Sequence, residues 1–426
     1  MDNYFLITGM FRSGTTLVSK MLHAHKKISC IPDTYSPFFN GFRDCIAEAG
    51  FPLRKISPLK YLGDYFSDDR DVELYEAIQS ASFNQLFPEK IKMSVISAIQ
   101  NRGRMTSPKV ISLLDQIKAK TFKGAYEELI SLIRQAYGTE KEIWTGNKEV
   151  WISEFAPHIL NAFPNSKIIL VNRDPRAVLA SKNVGSLKAA PGIRQEKYPW
   201  LFLIRQWRKI AIINWILTEN ELLKDRILSL RYEDVVREPE KYARKISTFL
   251  NLPFDDNMIH PETFTDGKGD VWVQNSSYNT IDKKDGFLQF KKTKPRFDAS
   301  RINKWETALT EKQIRYVEQL CYTEMRLHGY KPKLSSSLNL GDELIFNPPY
   351  AKVEELQEWI QKEYYDEQWS DTIKEMGVEA LRHRMLTSDS FNKSGYNTKL
   401  IKAYFINENY FTKARQLLGK DEYGKS

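Results

Sequence analysis

Residues 4–22 read YFLITGMFRSGTTLVSKML, and the fold turns on the segment in their middle, GMFRSGTT, from Gly9 to Thr16. A phosphate-binding P-loop is spelled G-x-x-x-x-G-K-[ST], its amides around the phosphate and its lysine serving the β- and γ-phosphates. Gly9, Gly14 and Thr16 keep that spacing; Thr15 stands in the lysine position, and Arg12 carries the loop's charge. Upstream, Tyr4–Thr8 is a short apolar run that reads as a buried parallel strand. Downstream, Leu17, Val18, Met21 and Leu22 recur at helical spacing. Strand, glycine-bounded loop and helix together are the context that makes the motif informative; a glycine turn that merely caps a helix is the plainer reading of the loop alone. A helix N-terminus binds a phosphate well. Without the lysine, the loop suits a ligand that lacks a γ-phosphate. Arg12 could neutralise an oxyanion beyond the cradled phosphate, with Ser13, Thr15 and Thr16 adding hydroxyl donors.

Working outward, Lys141–Thr145 reads as a strand leading into Gly146–Asn147–Lys148, and Lys167–Val171 as a strand leading into Asn172–Arg173–Asp174–Pro175. Pro175 fits the first turn of a helix with Asp174 as its N-cap. Ile227–Leu230 reads as a further strand, followed by Arg231–Tyr232–Glu233–Asp234 and a helix to about Leu250. Strands alternating with helices predict an α/β fold, a P-loop-like central parallel β-sheet flanked by helices. Ligands of such sheets sit beyond the carboxyl ends of the strands. Arg173 stands at one strand end and Ser181 eight residues on. A long guanidinium lying along the helix could share one phosphate with that hydroxyl.

The remainder divides by composition. Residues 37–137 are mostly helical in pattern and charged, an insertion at the ligand edge that is either a substrate lid or a plain helical subdomain. Residues 282–304 hold eight Lys or Arg against three Asp. Residues 331–343 read as a linker. Residues 350–418 read as amphipathic helices without a fixed repeat. The expected division is a main domain over 1–335 and a helical C-terminal extension over 336–426, open to contact with a second copy or a carrier protein.

Bulk properties are those of a globular protein: 42% hydrophobic, 27% charged, net charge +9. The charge suits an anionic ligand, or is a dispersed surplus of lysine. The three cysteines form no C-x-x-C and the six histidines no H-E-x-x-H, so no metal site is expected. His23 and His25 read as structural or exposed. No secretory signal is expected before a strand at Tyr4, and the most apolar run, Ile210–Leu217, is far short of the ~20 residues that span a bilayer. A cytoplasmic protein with no transmembrane segment and no nucleic-acid partner is expected.

The two phosphate motifs together resemble the sulfotransferase superfamily, which uses 3'-phosphoadenosine 5'-phosphosulfate (PAPS). FRSGTT resembles its 5'-phosphosulfate loop, and FPNSKIILVNRDPRAVLASK, residues 163–182, its 3'-phosphate motif of Arg173 and Ser181. The resemblance runs from Tyr4 to about Pro332. LVSKMLHAHKKISCIPDT, residues 17–34, is similar to the tyrosylprotein sulfotransferase-like subgroup, whose catalytic base lies 21 residues after the loop arginine, here at Asp33. The resemblance implies Arg12 and Lys148 as catalytic cations, Asp33 as a shorter base than the subgroup's glutamate, and Tyr232 near the nucleotide. It also implies Lys304 of Lys304–Trp305 at the 5'-phosphate, transfer of a sulfuryl group from PAPS to a hydroxyl, and adenosine 3',5'-bisphosphate as product.

Departures narrow the acceptor. The protein-tyrosine members carry arginines two and six residues past the base; here Tyr35 and Phe39 stand there. The cysteine that would pair with Cys30 is replaced by Gly146. A carbohydrate, lipid or small-molecule alcohol is therefore expected ahead of protein tyrosine. Tyr35, Phe38, Phe39 and Phe42 read as an aromatic entrance or as core packing. A P-loop kinase and a non-catalytic nucleotide-binding module are the alternatives.

Overall fold

The computed structural model describes residues 3–50, 69–139, 141–181, 199–272, 281–284, 287–290, 296–338, 369–388 and 398–423. Its centre is a sheet of β1 (Tyr4–Gly9), β2 (Ile28–Pro32), β3 (Trp144–Lys148), β4 (Lys167–Asn172) and β5 (Ile227–Arg231). They pair in the order β2-β3-β1-β4-β5, every neighbour parallel. Successive strand side chains alternate between faces, and the core divides accordingly. Phe5, Ile7, Ile169 and Val171 pack beneath α1 (Thr15–His23), with Val18, Met21 and Leu22. Tyr4, Leu6, Ile168 and Leu170 pack on the opposite face.

Two strand expectations need correcting. The strand placed at Lys141–Thr145 runs instead from Trp144 to Lys148, so Gly146, Asn147 and Lys148 are strand residues. Packing decides it: a Cβ on Gly146 would lie 2.3 Å from the Phe5 ring, and Lys148 pairs in register with Ile7. The edge strand β2 was not expected at all. The helix expected to run to Leu250 is broken at Pro239 into two, Tyr232–Arg237 and Pro239–Phe249.

The segment from 37 onward forms α2 (Ser36–Gly50), α3 (Asp69–Ser80), α4 (Glu89–Thr106), α5 (Pro108–Ile111) and α6 (Phe122–Tyr137). Tyr35, Phe38, Phe39 and Phe42 are wholly buried. They recur at helical spacing on one face. Phe42 meets Phe83 and Phe122 at ring distances of 4.7 and 5.1 Å. The aromatic-entrance reading is thus overturned: these rings are the core that fastens the insertion to the sheet.

Beyond the sheet's centre lie α7 (Ala156–Ala162), α8 (Pro175–Leu179), α9 (Pro199–Thr218), α10 (Tyr232–Arg237) and α11 (Pro239–Phe249). Asp174 caps α8 by accepting from the Arg176 amide, as its sequence predicts. Residues 281–284 and 287–290 pair as an antiparallel hairpin; other parts of the basic 282–304 stretch lie outside the described residues. The described part of the 331–343 segment is tethered, since the Lys333 and Leu334 amides donate to Glu318 at 2.7 and 2.8 Å. Of the 350–418 helices, 350–368 and 389–397 lie outside the described residues. The helix Trp369–Thr387 is docked by buried charges: Arg208 donates to Glu379 at 2.6 and 2.5 Å, and Arg382 to Glu324 at 2.5 Å.

Candidate nucleotide and transfer site

Each strand delivers one candidate residue at its carboxyl end. After β1, the chain folds tightly, with the Ser13 amide donating to the Met10 carbonyl at 3.1 Å. Arg12 and Gly14 take left-handed backbones, φ 65° and 84°. Gly14 caps α1 with no side-chain hydrogen bond. The first amides of a helix have no intrahelical partner, so those of Thr15 and Thr16 are open donors. Gly14 is required here. A Cβ would sit 2.1 Å from the Tyr232 ring, which lies against the loop from the end of β5.

That ring also carries Arg173, whose guanidinium lies 4.3 Å from its centroid. Arg173 donates from Nη1 to the Arg12 carbonyl at 2.8 Å, while Trp207 of α9 donates to the Arg173 carbonyl at 2.8 Å. Arg12 donates from Nε to Ser181 Oγ at 2.9 Å. Ser181 is thus tied directly to Arg12, a contact that its spacing from Arg173 did not predict. The helix ends at Leu179, so Ser181 stands just beyond it and faces the loop. Burial, then the neighbouring Arg173, lowers the Arg12 acid to about 10, partly offset by Tyr232 and Asp33; it stays cationic at neutral pH. Ser13 Oγ and Arg173 Nε are buried with no hydrogen-bond partner among the described residues. Two adjacent guanidinium groups, orphaned donors and open helix amides form an anion cradle.

On the far side of the loop, Asp33 follows β2 and Lys148 ends β3. The two strands are in register at Pro32 and Lys148. The Asp33 amide donates to the Lys148 carbonyl at 2.6 Å, and Lys148 Nζ donates to Asp33 Oδ2 in a very short contact. Lys148 is buried, whereas the Asp33 side chain is 31% exposed. Asp33 takes a left-handed backbone, φ 47°. Aspartate tolerates this region better than most residues.

Arg12, Ser13, Gly14, Thr15, Thr16, Arg173, Ser181 and Tyr232 are thus brought together, with Asp33 and Lys148 paired on the neighbouring strand ends. Lys304 is exposed at the cap of the short helix Trp305–Ala308. The turn just before it, Ala299–Arg301, packs on α10. Three contributors were not expected from sequence: Arg102, Glu149 and Trp207. Among the described residues no group of three or more His, Cys, Asp or Glu could hold a metal ion. Burial pushes the Cys30 thiol up to about 12, and pushes His23 down to about 4, with Lys20 and Lys109 adding to the latter. Both are neutral packing groups at pH 7.

The sequence model described as "Sulfotransferase family" matches residues 5–256. The chain is 29% identical over 190 residues to carbohydrate sulfotransferase 3 of Tetronarce californica, covering 39% of this chain and 36% of that protein. It is 27% identical over 155 residues to protein-tyrosine sulfotransferase 1 of Danio rerio, covering 35% and 42%. The matches thus take in less than half the length of these curated relatives. A solved sulfotransferase domain from the Synechococcus PCC 7002 olefin synthase superposes with a TM-score of 0.40 and 17% identity, over 73% of this chain and 89% of that one.

Proposed function

The chain belongs to the sulfotransferase family, and from that premise we propose that it moves the sulfuryl group of PAPS to a hydroxyl acceptor. The observation that carries the reading is the anion cradle at the ends of β1, β4 and β5, beside a carboxylate–ammonium pair at the ends of β2 and β3. The residues present fit the nucleotide. Open amides at Thr15 and Thr16 and the orphaned Ser13 hydroxyl would hold the 5'-phosphate. Arg173, with its unpartnered buried Nε, and Ser181 would hold the 3'-phosphate, and Tyr232 would border the nucleotide. Lys304 is proposed at the 5'-phosphate on family resemblance. PAPS supplies a sulfuryl group bonded to a phosphate that can leave.

The chain's own residues then divide the work. Lys148 occupies Asp33 Oδ2, leaving Oδ1 to take the acceptor's hydroxyl proton as its oxygen attacks sulfur. A positioned base contributes about 10²–10⁴ in rate. Lys148 has three N–H donors, so it can hold Asp33 and also meet charge developing on the departing oxygen. Arg12 faces the same charge. Such preorganised donors are typically worth about 3–4 kcal/mol each. No metal enters this scheme.

Carbohydrate, lipid and small-molecule alcohols are proposed ahead of protein tyrosine, because Tyr35 and Phe39, at the positions where arginines hold acidic peptides in the protein-tyrosine members, are buried core residues. The test is transfer of label from PAPS across oligosaccharide, aliphatic and phenolic acceptors, with product mass measured. Asp33→Asn should abolish turnover while leaving affinity for adenosine 3',5'-bisphosphate near wild type; Arg173→Ala should chiefly weaken that affinity. A fully active Asp33→Asn variant would remove the base assignment.

A further inference from the structure

Behind the Asp33–Lys148 pair lies a carboxylate that the scheme above does not use. Glu149 follows Lys148 directly and is wholly buried. Its Oε1 accepts from the amides of Thr34 and Tyr35 at 2.8 and 2.5 Å, the two residues after Asp33. Asn147 Nδ2 also reaches Oε1 at 3.4 Å. Oε2 is buried with no hydrogen-bond partner among the described residues. Arg102 of α4 donates from Nε to the Asp33 carbonyl at 2.8 Å. Asp33 is thus held at its own amide by the Lys148 carbonyl, at its carbonyl by Arg102, and through its next two amides by Glu149.

A left-handed non-glycine residue persists only where its surroundings over-determine it. Here they do, and the restraints come from two places distant in sequence. Resting on the assignment of Asp33 as the base, we infer that Glu149 and Arg102 are positioning residues for that base, so that helix α4 of the insertion is a working part of the transfer site. Among the described residues, Glu149 makes no hydrogen bond to the phosphate loop or to Arg173. Its contribution should therefore fall on turnover and spare nucleotide binding. The charged groups acting on Glu149 are Asp33, Lys148 and Arg102, so its charge also bears on the field at the base.

The experiment compares Glu149→Ala, Glu149→Gln, Arg102→Ala and Asp33→Asn with wild type. Binding of adenosine 3',5'-bisphosphate is measured by calorimetry. Turnover of labelled PAPS is scored as label passed to hydroxyl acceptors or to water, across pH 5.5–9. Glu149→Ala should lower turnover about tenfold to a hundredfold, the scale of a misplacement near 1 Å, with the bisphosphate Kd within about threefold. Arg102→Ala should show the same signature, more weakly. Glu149→Gln keeps an oxygen for the Thr34 and Tyr35 amides, so it should restore most of the turnover lost in Glu149→Ala while altering the pH profile. Full turnover in Glu149→Ala would overturn the inference, as would loss of turnover and nucleotide affinity together. Asp33→Asn separates the failures. If it is active, the base assignment falls and this inference with it; if it is inactive beside a fully active Glu149→Ala, only the inference falls.

Discussion

Replacing Glu149 by glutamine should change how stability depends on pH, by an amount that follows from its surroundings. Burial, with the Asp33 charge adding, pushes the Glu149 acid up to about 7 against the opposing pull of Arg102, the Tyr35 amide and Lys148. The unfolded chain would ionise it near 4.5. Between these values the folded protein holds the extra proton, so stability contributed by this group is full below about 4.5 and is lost as pH rises through about 7. At about 1.36 kcal/mol per unit, the loss is on the order of 2–3 kcal/mol between pH 5 and pH 8. Glutamine does not titrate. Any fixed penalty from placing its amide beside Arg102 cancels when each protein is compared with itself at two pH values. Other buried titrating groups, among them Lys20, lowered to about 8 chiefly by burial, remain in both proteins. Denaturation midpoints of wild type and Glu149→Gln at pH 5 and pH 8 give the difference directly. The variant should gain roughly 2–3 kcal/mol relative to wild type on going from the lower to the higher pH. A difference below about 0.5 kcal/mol, or one of opposite sign, would refute the buried, high-acid state of Glu149.

Other perturbations have defined outcomes. Gly14→Ala places a methyl 2.1 Å from the Tyr232 ring on a backbone with φ 84°; it should displace the ring, cost at least about 1–2 kcal/mol of stability and sharply weaken bisphosphate binding in calorimetry. Ser181→Ala removes the hydroxyl proposed to meet the 3'-phosphate; a hydrogen bond to a charged group is worth about 1.5–3 kcal/mol, so affinity for the bisphosphate should fall about tenfold or more. Glu379→Ala strands the buried Arg208, and thermal denaturation should register a loss of about 3–5 kcal/mol. Phe42→Ala should cost about 3–5 kcal/mol through its cavity without changing the ranking of acceptors, which an acceptor panel would reveal.

The parts of the site legible in the sequence were those in which motif and strand end coincide. Tyr4–Gly9 and Lys167–Asn172 are long, apolar and followed by loop residues, so Arg12 and Arg173 could be placed at the sheet's edge before any coordinates. The strand Ile28–Pro32 was not legible: Ser29, Cys30 and a terminal proline give five residues too little pattern to mark a strand. Trp144–Lys148 was misplaced because glycine, asparagine and lysine look like a turn, and the ring of Phe5 that decides the matter lies far away in sequence. The aromatic residues after Asp33 carried the helical stripe that makes them core, yet proximity to the base invited a binding role. Arg102 and Glu149 had no signal, because the turn they hold exists only once β2 has paired with β3 and Arg102 of α4 has reached the Asp33 carbonyl. The hydrogen bond between Ser181 and Arg12 had no signal either, since it is the early end of α8 that turns the serine toward the loop.

The most direct measurement is a crystal structure with adenosine 3',5'-bisphosphate. The 5'-phosphate should rest on the amides of Thr15 and Thr16 with Ser13 Oγ bonded to it, the 3'-phosphate on Arg173 and Ser181, and Asp33 should remain paired with Lys148 beside the open 5' side. A bisphosphate bound elsewhere, or a loop that admits only a magnesium–triphosphate, would contradict the account.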